Sequence, residues 1–356
     1  MTKQNVLWGA IAALLSAASA MAQTSVTFNG GQLALSTTAA NQQLKVEVNG
    51  NSARLFGFSG VTDGQRYNGV SAILVQTGMG DDNVEFVVES AESLNVQVNT
   101  GAGNSTTNVK WKILAGGVSP IADLDIVSGT AGQRNVIVEI ESEARTAAVT
   151  VDAGAASEIA AKIMSSNFSD NLRVAFAGAA PKTQLEIGSN ASTLAVDVRG
   201  LGTQLADELK YSIAQSRPAS VDLYWNIDSG LGNDMVEAKV SASGSTVTQR
   251  GTVLSAGGDD HVLFETDAFS TVTGLSINGG LGNDDLRQII KGRFQSSQTL
   301  QTVMAGGDGN DTLVLTTDTG IFGTGLPNDT VPVLNCGPGI DQFQGFGLIR
   351  FCESRL

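Results

Sequence analysis

Aspartate recurs in this chain inside short glycine-rich turns, and those turns are where the sequence has the material for chemistry. The clearest copies are SGLGNDMVE from Ser229, NGGLGNDDL from Asn278, AGGDGNDTLV from Ala305 and TGMGDDNVEF from Thr77, with weaker ones at AGGDDHVLF from Ala256 and CGPGIDQF from Cys336. Each joins two alternating apolar runs through Gly-x-Gly-x-Asp or a near variant. If the copies stack, Asp234, Asp260, Asp284, Asp311 and Asp341 form one line, with Asp259, Asp285 and Asp308 beside it. Carboxylates at strand spacing, about 5 Å, repel by about 1 kcal/mol in water and by several at an effective dielectric of 20. Calcium takes six to eight oxygens from carboxylates, carbonyls and water and would relieve that repulsion. The alternative is a hydrogen-bonded ladder without metal, in which Asp, or Asn233, Asn283 and Asn310, accept backbone N–H groups as in Asx-turns.

The elements that must position these residues follow from the spacing. Turn starts at 78, 101, 129, 153, 177, 200, 230, 256, 280, 307 and 337 recur about every 25 residues, and Asn29-Gly30 and Asn49-Gly50 extend the series toward the N-terminus. Between turns, runs such as Leu94–Val98, Val109–Ile113 and Leu313–Leu315 have strand character. The stretches 156–164 and 204–214 have helical composition but occupy strand slots in the period, and phase predicts strands there. A unit of this size cannot bury its apolar face alone, whereas stacked units share one interior. The prediction is all-β: a parallel β-solenoid, a right-handed β-helix of about a dozen coils of about 25 residues. Residues 23–335 form the repeats, with calcium-type turns mainly over 229–341.

At Gly306–Val314, GGDGNDTLV, the sequence resembles the calcium-binding nonapeptide of the haemolysin-type RTX family, G-G-x-G-x-D-x-U-x. The segment from Gly279, GGLGNDDLR, resembles it as far as the aspartate and the apolar position. The resemblance implies structural Ca2+ held between turns of neighbouring coils. It departs from the family in spacing, about 25 residues rather than 9, so the coil is larger, and no toxin activity transfers. Calcium is expected in the last five coils, on Asn233, Asp234, Asp259, Asp260, Asn283, Asp284, Asp285, Asp308, Asn310, Asp311 and Asp341. Asp82, beside Asp81, is an isolated N-terminal candidate. The coils starting at 101, 129, 153, 177 and 200 lack the aspartate and offer Ser105, Gln133 or Gln204 instead.

Other chemistry has little material. His261 is the single histidine, which leaves zinc-type sites and Ser-His-Asp catalysis without partners, and it reads as an exposed residue past a turn. Arg287, Lys291 and Arg293 form the basic cluster nearest the acidic line, the feature a polysaccharide lyase on a β-helix would need. Alternation through Val221–Ile227 turns Trp225 inward and Tyr224 outward. The scarcity of aromatics and the regular long period argue against an outer-membrane barrel.

Glycine, 42 of 356 residues, is above the usual 7 per cent or so yet far from collagen's third, and 6 prolines exclude a Pro-rich chain. A formal charge of −14, from 21 basic and 35 acidic residues, makes nucleic acid and anionic membranes poor partners. Residues 1–22 read as a signal peptide: Lys3, an apolar run over Val6–Ala20, and Ala20-Met21-Ala22 as cleavage site. No other run is long and apolar enough to span a bilayer as a helix. Export to the periplasm, cell surface or medium makes Cys336 and Cys352 disulfide partners clamping a cap over 336–356, with Phe343, Phe346 and Phe351 as apolar cover. The function expected is a non-enzymatic calcium-binding scaffold meeting a polysaccharide or protein partner. The alternatives are a carbohydrate-active β-helix enzyme and a metal-free structural solenoid.

Overall fold

The structure is a computed structural model that describes residues 24–38, 41–58, 60–116, 119–127, 132–166, 169–293, 301–317, 332–345 and 348–355. The proposed signal peptide and Phe346 lie outside them, as does the side chain of Arg293. The described chain is all-β, about 71% strand without helix, and forms a parallel β-solenoid of about nine turns with about 26-residue spacing. No helix among the described residues is long and apolar enough to cross a membrane.

Beyond the N-terminal hairpins, strands pair with those one coil away rather than with their neighbours along the coil, so two parallel sheets grow side by side. One, the front sheet, includes Leu94–Asn99, Ile121–Val127, Thr146–Ala155, Asn171–Ala179, Thr193–Thr203 and Ser220–Gly230. The other, the back sheet, includes Asp82–Ser90, Ser105–Ile113, Arg134–Ser142, Glu158–Ser165, Lys182–Ser189 and Glu208–Gln215. The segments of helical composition at 156–164 and 204–214 thus contain no helix and enter the strands Glu158–Ser165 and Glu208–Gln215. A strand slot with partners on both edges satisfies its backbone along the whole ladder, and this outweighs local propensity.

Alternate residues of both sheets point inward and fill a continuous core of Val, Ile and Leu. Among its largest buried side chains are Tyr211, Trp225 and Phe264, which meet in one cluster with ring centroids 6.0 and 5.5 Å from Trp225. Gly200 makes room there, because a Cβ at that position would collide with the Tyr211 hydroxyl. Tyr224 points outward, as alternation requires.

The N-terminal end departs from the predicted dozen coils. Asn29-Gly30 and Asn49-Gly50 do not start coils; they begin two antiparallel hairpins, Thr24–Asn29 with Gln32–Thr37 and Gln43–Asn49 with Ser52–Phe56. The reason is local: Gly30 and Gly31 both take positive φ, 57° and 84°, which suits a two-residue hairpin loop. Gln65–Asn68 adds a further antiparallel strand, and Phe28 meets Tyr67 at 5.7 Å between ring centroids. These antiparallel strands occupy the edges that the first parallel strands would otherwise expose.

At the other end Cys336 and Cys352 form a disulfide, their Cα atoms 5.1 Å apart. Closing a loop of this length contributes about 3 kcal/mol in the chain-entropy model. Phe343 packs against the core, but Phe351 is 72% exposed and covers nothing.

Candidate functional site

The aspartates of the turn edge form a buried column on the back-sheet side. Strand register places Gln42, Asp82, Ser105, Arg134, Ser157, Pro181, Asp207, Asp234, Asp260, Asp284, Asp311 and Asp341 at one position, at or immediately before the start of successive back-sheet strands. Every aspartate in the column is buried.

From Asp234 on, each carboxylate in the C-terminal run clips its coil to the preceding one. The N–H of Asp207 donates to Asp234 Oδ1 at 2.9 Å, that of Asp234 to Asp260 at 2.8 Å, and that of Asp260 to Asp284 at 2.9 Å. Asp284 N–H continues to Asp311 at 2.9 Å and Asp311 N–H to Asp341 at 2.8 Å. The column ends on Glu353, whose Oε2 accepts from Asp341 N–H at 2.8 Å.

Asp207 corrects the expectation that the coil starting at 200 lacks the aspartate. Its position was hidden because the turn Gly202-Thr-Gln-Leu-Ala-Asp207 does not carry Gly-x-Gly-x-Asp. A subtler signal was present, a small residue five positions before the acid: Gly202, Ser229, Ser255, Gly279 and Gly306 precede Asp207, Asp234, Asp260, Asp284 and Asp311. At Gly279 and Gly306 a Cβ would collide with the folded-back Oδ2 of its aspartate. Asp207 also starts the run for a physical reason. Pro181 in the preceding coil has no N–H to donate, so Asp207 instead accepts from the backbone N–H and hydroxyl of Thr203 in its own turn.

A second, outer ladder runs beside the first in the opposite sense. Asp259 N–H donates back to Asn233 Oδ1 at 3.0 Å, Asn283 N–H to Asp259 Oδ1 at 2.8 Å, Asn310 N–H to Asn283 Oδ1 at 2.9 Å, and Ile340 N–H to Asn310 Oδ1 at 2.8 Å. Two adjacent turn amides are therefore satisfied by side chains, one from the coil ahead and one from the coil behind. Asp81 joins a shorter ladder at the N-terminus, accepting from Asn104 N–H, while Asp82 accepts from Gln42 N–H at 2.8 Å.

Two predicted residues lie apart. Asp285 sits on the strand beyond the column, held by Arg287 Nε at 2.7 Å and facing His261 Nδ1 at 3.0 Å. Asp308 is exposed at the turn tip. Lys291 pairs with Glu265 along the back sheet rather than with the column.

Burial dominates the electrostatics of the column. It pushes Asp260 up to about 6 and Asp284 up to about 7, with adjacent aspartates adding to the rise and the donated N–H opposing it. Asp234, Asp311 and Asp341 are raised for the same leading reason. The Ser229 hydroxyl stands beside Asp234 and eases its charge, although no bond of normal geometry joins them. The Oδ2 atoms of Asp82, Asp234, Asp260, Asp284, Asp311 and Asp341 are buried with no hydrogen-bond partner.

This arrangement offers one uncommitted carboxylate oxygen per coil. Among the described residues no three acidic, histidine or cysteine side chains converge as a metal-binding group. A calcium shell of six to eight oxygens would have to be completed by backbone carbonyls and water. Comparison with family models, curated proteins and solved structures finds no match.

Proposed function

We propose that this chain is an exported, non-enzymatic β-solenoid that works as a rigid scaffold, with its C-terminal coils locked by the paired aspartate and asparagine ladders. The observation that carries this reading is the unbroken series that starts at the Asp207 amide, in which every carboxylate from Asp234 to Glu353 takes a structural hydrogen bond from the preceding column residue. A hydrogen bond to a charged acceptor contributes about 1.5–3 kcal/mol, and here the bonds add to the strand pairing and the turn-to-turn backbone bonds that already join the coils. The N-terminal apolar segment and the cysteine pair at disulfide distance support export.

Structural calcium is the second reading, favoured by the row of buried Oδ2 atoms without partners and by the resemblance of the turns to RTX repeats. Hydrogen exchange on the purified protein, with calcium and with chelator, separates the two. Protection of the Asp234, Asp260 and Asp284 amides equal to that of core strands in both conditions supports the metal-free scaffold. Protection only with calcium, weakened more by Asp284→Asn than by Asp82→Asn, supports calcium shared between coils. Fast exchange of these amides in both conditions would sink the ladder itself.

A further inference from the structure

The two sheets differ in their outward charges. Every lysine among the described residues lies on the back sheet, where Lys110, Glu139, Lys162 and Glu186 alternate along one row. The front sheet carries arginine instead, and Arg173, Arg199 and Arg250 face outward from its middle. Two of these are matched: Arg199 with Asp197 at 3.1 Å, and Arg250 with Asp222 at 3.0 Å. Arg173 is exposed, and among the described residues no side chain pairs with its guanidinium. Among the described residues Arg54, Arg66, Arg134 and Arg350 also lack an ion pair, but Arg173 is the one that lines this stretch of the front sheet.

Around it the sheet surface is hollowed. Register puts Ala148, Arg173, Ala195 and Asp222 in one outward row, and Thr150, Ala175, Asp197, Tyr224 and Arg250 in the next. The alanines leave a groove of about 540 Å³ across five strands, within the range of small-ligand sites. Tyr224 forms one wall and is 44% exposed, an aromatic ring presented to solvent on an otherwise small-residue floor. Arg173 lies two strands across and two residues along from it, about 12 Å at strand geometry. That span matches two linked sugar rings.

We infer that this front-sheet groove binds an acidic oligosaccharide, with a sugar face on the Tyr224 ring, a uronate carboxylate on Arg173, and hydroxyls on the Asp222–Arg250 pair. A planar guanidinium recognises a carboxylate bidentately. An aromatic ring receives the apolar face of a sugar while its hydroxyls reach polar neighbours. The inference goes beyond the scaffold reading and stands whether or not the aspartate column takes an ion.

The test is calorimetric titration of the purified protein with a hexamer of galacturonic acid, a neutral glucose hexamer and hexaglutamate. The acidic sugar is expected to bind at least tenfold tighter than either other probe. Arg173→Ala and Tyr224→Ala should each weaken it at least tenfold, while Arg54→Ala on the back-sheet side changes it less than twofold. Both residues are exposed, so an unchanged thermal midpoint confirms the fold of each variant. Absence of binding, equal binding of the neutral sugar or of hexaglutamate, or equal loss in Arg54→Ala would each overturn the inference.

Discussion

Between residues 207 and 341 the turn edge is a column of buried carboxylates; between 105 and 181 the same position holds Ser105, Arg134, Ser157 and Pro181. The backbone problem is the same in both regions, since an amide leaving the turn needs an acceptor one coil away. The middle coils solve it with neutral oxygens: Ser105 N–H donates to the Gln133 carbonyl at 2.8 Å, Ser157 N–H to the Arg134 carbonyl at 2.8 Å, and Arg134 N–H to the Ser157 hydroxyl at 3.1 Å. The C-terminal coils use carboxylates, a stronger acceptor whose charge must be removed from water. Neutral turns give coil-to-coil cohesion that ignores pH and ions. Acidic turns give cohesion that responds to pH.

The largest effect that follows is on pH. An aspartate raised above its unfolded value of 3.8 stabilises the fold fully below that value, and the contribution is lost as pH rises through the folded value. For Asp260 and Asp284 that loss spans the interval up to about 6 and about 7. In chelator, the stability of the C-terminal coils should therefore fall between pH 5 and pH 8 by on the order of 2–4 kcal/mol. Urea melts resolved by hydrogen exchange would show the fall in the C-terminal coils and not in coils 105–181. A flat profile, or an equal fall in both regions, would remove the distinction between them.

Substitution at Asp284 sharpens the same contrast. Asp284→Ala leaves the Asp260 amide without its acceptor, and a buried unsatisfied donor costs about 1–3 kcal/mol. Asp284→Asn keeps an amide oxygen for that N–H and removes the buried charge. At pH 8 in chelator it should be at least as stable as the parent and should reduce the pH slope. If Asn destabilises as much as Ala, charge rather than acceptor geometry holds the column.

How much of this was legible depends on which signal carried each element. The phase of the turns placed the strands at 158–165 and 208–215 although their composition is helical, because two-sided pairing decides their state. The line through Asp234, Asp260, Asp284, Asp311 and Asp341 was legible from Gly-x-Gly-x-Asp. Asp207 was not, since its turn keeps only the small residue five positions earlier, and Glu353 was not, since the terminating acid follows the last repeat. At the N-terminus the period misled: Asn-Gly at 29–30 and 49–50 fits both a coil start and a hairpin, and local turn chemistry won. Which oxygen of each carboxylate is committed, and to which coil, depends on side-chain direction that no spacing encodes.

The smallest predicted effect tests the neutral half of the comparison. Ser157 holds the same relation to Arg134 that Asp284 holds to Asp260: the later coil's side chain accepts the earlier coil's amide. Ser157 is half-buried and Asp284 buried, so water can replace the hydroxyl in Ser157→Ala but not the carboxylate in Asp284→Ala. The loss should be about 0.5–1.5 kcal/mol, the net worth of an ordinary hydrogen bond. It should also be the same at pH 5 and pH 8, because no titrating group is removed. A pH-dependent loss in Ser157→Ala would mean that the carboxylate column reaches energetically past Pro181, and that the break in its hydrogen bonds there does not insulate the middle coils.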